Sequence, residues 1–220
     1  MTVIGQIGQS LDGRIATPAG HSHYVNGDDG LAHLHRLRAL VDAVVVGIGT
    51  VLADDPQLTV RRVNGPQPAR VVIDPNRKLP HHARMLADDG VRRIIITDDA
   101  TRPDLPQGLE LVPIRRVDGS IPPQAILDAL SGFGFRHVLI EGGANTVSRF
   151  LSAGCLDRLH VVVAPIVIGS GPAGFSLAPI ETMDQALRFP VRTHSLGPEV
   201  LFDCDLSAQR ASGGSAKKST

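Results

Sequence analysis

Short apolar runs recur along the chain, and most of them end at a polar or glycine-containing turn. Residues 3–9 alternate apolar with small or polar side chains, which is typical of a strand whose glycines admit close contact with the backbone. β-branched or apolar runs predict six more strands, over residues 41–46, 69–73, 91–97, 109–112, 137–140 and 156–164. Residues 191–196 and 199–206, separated by Gly197-Pro198, predict a terminal antiparallel hairpin.

Helix signals lie between these runs. Asn26 or Asp28 can cap a helix through Leu40, whose inner face repeats leucine every three residues. Pro122 or Pro123 opens a second helix, and residues 147–151 mark a third that ends near Gly154. The alternation predicts an α/β domain over residues 1–206, with a mixed, mostly parallel sheet and helices on both faces. Residues 207–220 lack aromatic side chains and predict a disordered tail.

In such sheets ligands bind beyond the carboxyl ends of the strands, and Gly47, Asp74, Glu141 and Pro165 all follow predicted strands. Glu141 precedes two glycines, so its carboxylate is expected to face the ligand crevice. The alternative is an acidic residue in a structural turn. A lone glycine pair is weak evidence, and no GxGxxG follows the first strand, which disfavours an ordinary Rossmann domain.

The most informative stretch is residues 47–61, GIGTVLADDPQLTVR. Gly47 ends a strand, and Thr50 is the expected N-cap of a short helix whose free amides favour a phosphate. Asp54 and Asp55 follow within one turn before Pro56. With Arg61 closing the stretch, the pattern predicts a site for a polar, phosphorylated ligand beside a nucleotide. The alternative is a capped turn with solvated acidic residues.

Composition and charge limit the classes of partner that the chain is expected to bind. The chain has 22 basic and 22 acidic residues, so no net field favours nucleic acid or a membrane surface, and no apolar stretch has membrane-spanning length. A cytoplasmic location is expected, and Cys155 and Cys204 are expected to be buried thiols. The histidine pairs at 21/23 and 33/35 point apart on a helix, so no metal site is predicted. No GxSxG or HExxH motif supports a hydrolase.

Several motifs together carry a resemblance. They are SLDGRIA at 10–16, Arg38-Ala39 with Asp42, GTV at 49–51, DDP at 54–56, LTVR at 58–61, EGG at 141–143, and Ala164-Pro165 with Gly169. Across roughly residues 3–205 the chain resembles the riboflavin-biosynthesis pyrimidine reductase family, the reductase part of the bifunctional deaminase-reductase. The resemblance implies a dihydrofolate-reductase-like fold, a homodimer, and NADPH-dependent reduction of a phosphoribosylamino-pyrimidine. The ring-opened imine of that substrate accepts hydride at the first carbon of the sugar. No His-x-Glu or Pro-Cys-x-x-Cys is found, so deaminase activity is not expected.

The resemblance also implies roles for individual residues. Substrate binding falls to Ser22, Arg38, Leu58, Arg61 and Glu141, with the arginines as phosphate partners. Cofactor binding falls to Gly8, Tyr24, Thr50, Asp54 and the loop Gly143, Ala144, Asn145 and Thr146; Asp54 and Glu141 are the expected catalytic residues. Tyr24 stands where many relatives carry Trp, and its ring can stack on nicotinamide. Where relatives commonly place Ser and Lys after the strand-ending Asp, this chain has Pro75-Asn76, so Arg77, in preference to Lys78, is expected to bind the 2′-phosphate. The alternative is that both are solvated charges of a turn.

Substrate choice stays open at this point. Gln6 stands where bifunctional bacterial members often carry Lys, which favours the 2,5-diamino-pyrimidinone over 5-amino-6-(5-phosphoribosylamino)uracil. Two other hypotheses are a reductase of the same fold for another pterin or pyrimidine, and a module that binds a nucleotide or flavin precursor without turnover.

Overall fold

The computed structural model of the chain describes residues 1–22, 25–98 and 108–210. Its strands are β1 (Thr2–Ser10), β2 (Ala43–Gly47), β3 (Ala69–Ile73), β4 (Arg93–Thr97), β5 (Leu109–Pro113), β6 (His137–Glu141), β7 (Arg158–Ala164), β8 (Val191–Leu196) and β9 (Glu199–Asp205). Its helices are α1 (Asp28–Leu40), α2 (Ile48–Asp54), α3 (Pro123–Gly132) and α4 (Ala144–Ser152), with 3-10 turns at Arg84–Leu86 and Met183–Gln185.

Within the described residues the strands form one sheet in the order β5-β4-β3-β2-β6-β1-β7-β9-β8. All pairs from β5 to β7 are parallel, and β9 is antiparallel to both β7 and β8. The predicted mixed sheet with a terminal hairpin is therefore confirmed. β1 lies between β6 and β7, so the first strand of the chain is central in the sheet.

The central strands are buried on both faces, which explains their continuous apolar sequences. Alternate residues of β2 face opposite sides: Val44 and Val46 pack in the layer that contains Leu37 of α1, whereas Val45 packs with Phe150 of α4. Helices α1 and α2 cover one face of the sheet, and α3 and α4 cover the other. No described helix is long and apolar enough to span a membrane.

Several local expectations need correction. α2 begins at Ile48 with Gly47 as its N-cap, so the prediction that Thr50 caps it is wrong. α1 likewise begins after Gly27, and no side chain of the N-cap residue caps it. The strand expected from residue 41 begins at Ala43. Just before it, the Asp42 carboxylate accepts hydrogen bonds from the backbone N–H groups of Arg136 and His137, at 2.6 and 2.8 Å.

The first four residues of the expected tail, 207–210, form a helical turn. Arg210 Nη1 donates to Asp157 Oδ2 at 2.6 Å and to the carbonyl oxygen of Cys155 at 3.3 Å, which ties this turn to the start of β7. Residues 211–220 lie outside the described part of the chain, and the domain boundary at 206 stays a prediction. Cys155 and Cys204 are buried and form no disulfide, as expected.

Candidate active site

A cavity of about 520 Å³ opens at the carboxyl ends of β1 and β6, beside the N-terminus of α1. Gln6 and Gly8 of β1 and Glu141 of β6 form its floor. One wall is the segment 25–31 that leads into α1, and the opposite side carries Ser22 and Asp54. The predicted strand-end site is thus a real concavity, and it gathers Gly8, Ser22, Asp54, Glu141 and Gly143 from the sequence-predicted set.

A buried ion pair lies beneath this floor. Arg38 Nε donates to Glu141 Oε2 at 2.8 Å and Arg38 Nη2 donates to Glu141 Oε1 at 2.5 Å, with both residues more than nine-tenths buried. Arg38 Nη1 donates to the carbonyl oxygen of Thr59 at 3.0 Å. Arg38 thus uses Nε, Nη1 and Nη2 on partners within the protein, and its contact with the substrate phosphate stays a prediction. Gln6 is the register partner of Glu141 in the neighbouring strand.

Ser22 and Asp54 meet at the cavity although 32 residues separate them. Ser22 Oγ donates to Asp54 Oδ1 at 2.9 Å. Asp55, next in the chain, ends α2 in the left-handed conformation with φ 37° and accepts the backbone N–H of Arg84 at 2.8 Å. The Asp55–Arg84 bond thus holds the turn that directly follows Asp54.

The Gly142-Gly143 turn and α2 are tied together by Thr50. The backbone N–H of Gly143 donates to Thr50 Oγ1 at 2.9 Å, so this hydroxyl caps a neighbouring turn and not its own helix. Gly142 has φ +104° and a Cβ there would lie 2.7 Å from Thr50 Oγ1, so only glycine fits. α4 then starts at Ala144 without a side-chain cap, followed by Asn145 and Thr146. Its first amides have no helical acceptor and favour an anion.

Arg61 lies beside a cluster of positive charge. Its backbone N–H donates to His35 Nδ1 at 3.0 Å, and its side chain is largely exposed. Partial burial, together with the charges of Arg38, Arg84 and Arg62, lowers the pKa of the Arg61 guanidinium. Burial and the Arg38 charge lower the pKa of His35 to about 4. Such a concentration of guanidinium groups attracts anions.

Leu58 and Arg62, in the segment between α2 and β3, differ from expectation. Leu58 has φ 57° and its side chain is buried in the core, so the side chain is not available to line the cavity and any contact with substrate falls to its backbone. Arg62, which sequence reasoning missed, lines the cavity and its Nη1 donates to Asp28 Oδ1 at 2.7 Å.

The turn after β3 is built around Asp74, whose carboxylate accepts the backbone N–H groups of Lys78 and Leu79 at 2.8 and 2.9 Å. Arg77 sits in this turn with φ 55°. Arg116, also missed from the sequence, donates from Nη2 to Asn76 Oδ1 at 2.7 Å and from Nε to Asp98 Oδ2 at 2.6 Å. Arg116 thus holds in place the turn that contains Arg77. This turn follows β3, which pairs with β2 in the sheet.

Tyr24 and His23 lie outside the described residues. Among those described, no group of three or more His, Cys, Asp or Glu side chains could hold a metal ion. His33 instead contacts a histidine from β7: its Nε2 lies 3.0 Å from His160 Nδ1, and His160 Nε2 lies 3.2 Å from Asp203 Oδ1.

Comparisons with known proteins agree with this geometry. Residues 1–202 match the family model described as the RibD C-terminal domain. A 2,5-diamino-6-ribosylamino-4(3H)-pyrimidinone 5′-phosphate reductase from Methanothermobacter thermautotrophicus is 35% identical over 212 residues, which cover 91% of this chain and 96% of that protein. The riboflavin biosynthesis protein RibD of Mycobacterium tuberculosis is 34% identical over 198 residues, but the chain spans only 51% of that protein.

Solved structures support the same assignment. The deaminase/reductase of Thermotoga maritima superposes with a TM-score of 0.80 at 28% identity, over 93% of this chain and 56% of that one. A dihydrofolate reductase from Enterococcus faecalis, at a TM-score of 0.54 and 11% identity, shares the fold alone. The expected resemblance and the dihydrofolate-reductase-like fold are both confirmed. The chain belongs to the RibD C-terminal domain family, the reductases of riboflavin biosynthesis.

Proposed function

We propose that this chain uses NADPH to reduce the ribosyl group of 2,5-diamino-6-ribosylamino-4(3H)-pyrimidinone 5′-phosphate to the ribityl compound. Reductases of that name from M. thermautotrophicus and Archaeoglobus fulgidus are 35% and 32% identical, and the chain covers 96% and 81% of their lengths. The Thermotoga maritima deaminase/reductase, of which the chain spans 56%, is named a 5-amino-6-(5-phosphoribosylamino)uracil reductase, so that uracil is the alternative substrate.

The observation that carries the proposal is the floor of the cavity, where Gln6 lies beside the buried Arg38–Glu141 pair. A pyrimidine bearing amino and carbonyl groups needs both donors and acceptors, and the Gln6 amide offers one of each. Gln6 adds no charge, in contrast to a lysine. A neutral amide at this position supports the diamino-pyrimidinone.

The residues around the Gly142-Gly143 turn fit a dinucleotide. The uncapped start of α4 provides backbone amides for the phosphates, Thr50 holds the turn in place, and Gly8, which lines the cavity, leaves the space that the Asn26 side chain occupies. When bound, the nicotinamide supplies hydride to the first carbon of the ring-opened sugar. Arg77, braced by Arg116, is the group we assign to the 2′-phosphate.

The side chains of this protein then have two tasks: to hold the two reactants together and to direct a proton to the imine nitrogen. Asp54 and Glu141 stay the predicted catalytic residues. Because Arg38 engages both oxygens of Glu141, we assign Glu141 to orienting the floor, and we assign Asp54, at the cavity beside Ser22, to handling the proton. We assign the phosphate anchor to Arg61 or Arg62. Arg61 lies in the cluster of positive charge, and Arg62 lines the cavity.

The test follows nicotinamide absorbance after mixing the protein with NADPH and each of three substrates: the diamino-pyrimidinone phosphate, the uracil analogue and dihydrofolate. Oxidation with the first and little with the others is expected. Turnover of dihydrofolate supports a same-fold reductase of another class. Binding of the substrate with neither oxidation of NADPH nor formation of a ribityl product supports a non-catalytic module.

We also propose that the chain forms a homodimer through the face of the terminal hairpin that carries Val200 and Phe202. Val200 and Phe202 of β9 remain partly exposed, and a groove of about 530 Å³ runs beside them, lined by apolar side chains that include Leu159, Val161 and Phe189. The polar residues 211–220 do not suit it, whereas a second copy does. Light scattering of Phe202→Arg against wild type tests this: a monomeric variant from a dimeric wild type is expected. A cytoplasmic location stays a prediction, to be tested by cell fractionation.

A further inference from the structure

We infer that Glu199, at the start of β9 in the terminal hairpin, is a positioning residue. It holds residues 26–30, which belong to the cavity wall formed by segment 25–31. The inference rests on the proposed function only for what the cavity binds. Glu199 is not among the residues that line the cavity, so its effect is expected to act through the wall that it holds.

Glu199 is 2% exposed, and its carboxylate gathers three donors from a segment about 170 residues away in the chain. Oε1 accepts from Asn26 Nδ2 at 2.8 Å and from the backbone N–H of Gly27 at 3.0 Å. Oε2 accepts from the backbone N–H of Gly30 at 2.9 Å. Because Gly27 has no side chain to cap α1, Glu199 supplies the cap.

The contacts leave no room for adjustment. A Cβ at Gly30 would lie 2.5 Å from Glu199 Oε2, so the helix approaches the carboxylate as closely as glycine permits. On the other side, a Cβ at Gly8 would lie 1.5 Å from Asn26 Oδ1. Asn26 is therefore pressed against the β1 backbone by its bond to Glu199. Gly8, Asn26, Gly27 and Gly30 all line the cavity.

The arrangement requires a carboxylate. Three donors converge on two oxygens, and both oxygens of a carboxylate accept hydrogen bonds. Glutamine keeps the shape of Glu199 but replaces one oxygen with an NH₂ group, which faces at least one N–H donor in either orientation. At least one hydrogen bond to the wall is then lost, and an N–H group of the wall faces the NH₂ group of the glutamine without an acceptor between them.

The experiment compares Glu199→Gln with wild type by hydrogen exchange of the peptide covering residues 25–31, without ligand, and by steady-state kinetics. Exchange in this peptide is expected to rise about tenfold or more. KM for NADPH or for the pyrimidine is expected to rise about tenfold, with a smaller fall in kcat. Leu130→Ala is the matched control, because Leu130 is buried on α3 across the sheet. It should lower Tm while leaving KM and the exchange of residues 25–31 near wild type.

Unchanged exchange of residues 25–31 in Glu199→Gln overturns the inference, as does raised exchange with KM equal to that of wild type. A rise of KM in Leu130→Ala equal to that in Glu199→Gln also overturns it, since general destabilisation then explains the effect. A wild-type protein that oxidises no NADPH contradicts the proposed function alone, and the exchange measurement still decides the role of Glu199. Should Glu199→Gln fail to fold, Asn26→Ala removes one of the three donors, with the same shifts expected in smaller measure.

Discussion

Arg38 and Glu141 hold each other through two parallel hydrogen bonds inside the protein, although 103 residues separate them in the chain. Arg38 lies on α1 and Glu141 at the end of β6, so the pair joins a helix to the carboxyl edge of the sheet. Removing one member leaves the other charge buried without its partner, which is far more destabilising than losing an exposed pair.

The first prediction concerns Glu141→Gln, which keeps the shape and removes the charge. A role in the chemical step would lower kcat by at least roughly 10²-fold, whereas the orienting role assigned to Glu141 above predicts a smaller fall, between about twofold and 10²-fold. Loss of one charge-assisted bond also predicts a fall of about 1.5–3 kcal/mol in the free energy of unfolding. Both are measured, by kinetics and by urea denaturation. A kcat within about twofold of wild type would show that the residue is structural, and Arg38→Gln/Glu141→Gln gives the coupling between the two side chains.

The second prediction separates the two neighbouring arginines. Arg61→Ala should raise KM for the phosphorylated substrate through loss of about 1.5–3 kcal/mol of binding, with the Kd for NADPH nearly unchanged. The same variant should treat the dephosphorylated substrate as wild type does, because the missing charge has no phosphate to bind. Arg62→Ala is the comparison: if only Arg62→Ala raises KM, the phosphate anchor is Arg62.

The third prediction is a preference for NADPH over NADH of roughly 10- to 100-fold in kcat/KM, from one charge-assisted contact at Arg77. Arg77→Ala should remove most of this preference and leave the NADH value nearly intact. Arg116→Ala should reduce it partly, since Arg116 braces the turn through Asn76. Equal kcat/KM for both cofactors in the wild-type protein would show that replacing Ser-Lys by Pro75-Asn76 removed the 2′-phosphate site.

The fourth prediction is a double-mutant cycle on the cavity floor. Gly8→Ala should lower kcat/KM at least tenfold, because its methyl group displaces Asn26. In the Asn26→Ala background the same glycine substitution should have a much smaller effect, since the colliding amide is gone. Additive losses in the double variant would mean that Gly8 acts independently of Asn26.

The fifth prediction concerns pH. Burial, with the nearby His160 and Arg36, lowers the pKa of His33 to about 4, from about 6.5 in the unfolded chain. The unfolded state therefore binds more protons between these values, so stability present above pH 6.5 is lost as the pH falls toward 4. Wild-type Tm should fall through this range, and His33→Leu should fall less steeply. His82→Leu, at an exposed turn, is the control; parallel curves for all three proteins would exclude His33 as the source.

Local sequence signals reached part of this structure. The β-branched runs predicted the strands because buried parallel strands need apolar side chains on both faces, and the strand ends predicted the neighbourhood of Asp54 and Glu141. They could not supply partners. Nothing local to Glu199 distinguishes it from an ordinary strand acid, and Arg38 lay only one position off the apolar stripe of α1. Both acquire their roles from contacts more than 100 residues away. Thr50 was assigned to the wrong turn for the same reason.

The central place of β1 bears on how the protein is synthesised. β1 pairs with β6 on one edge and β7 on the other, and these strands begin at His137 and Arg158 of a chain of 220 residues. As the ribosome makes the chain, β1 has neither neighbour until synthesis has passed His137, where β6 begins. Contacts this distant slow folding, and an unpaired strand is open to wrong partners. Gly5 and Gly8 have low strand propensity, so we expect Gly8, which also lines the cavity, to weaken wrong pairing of the nascent strand.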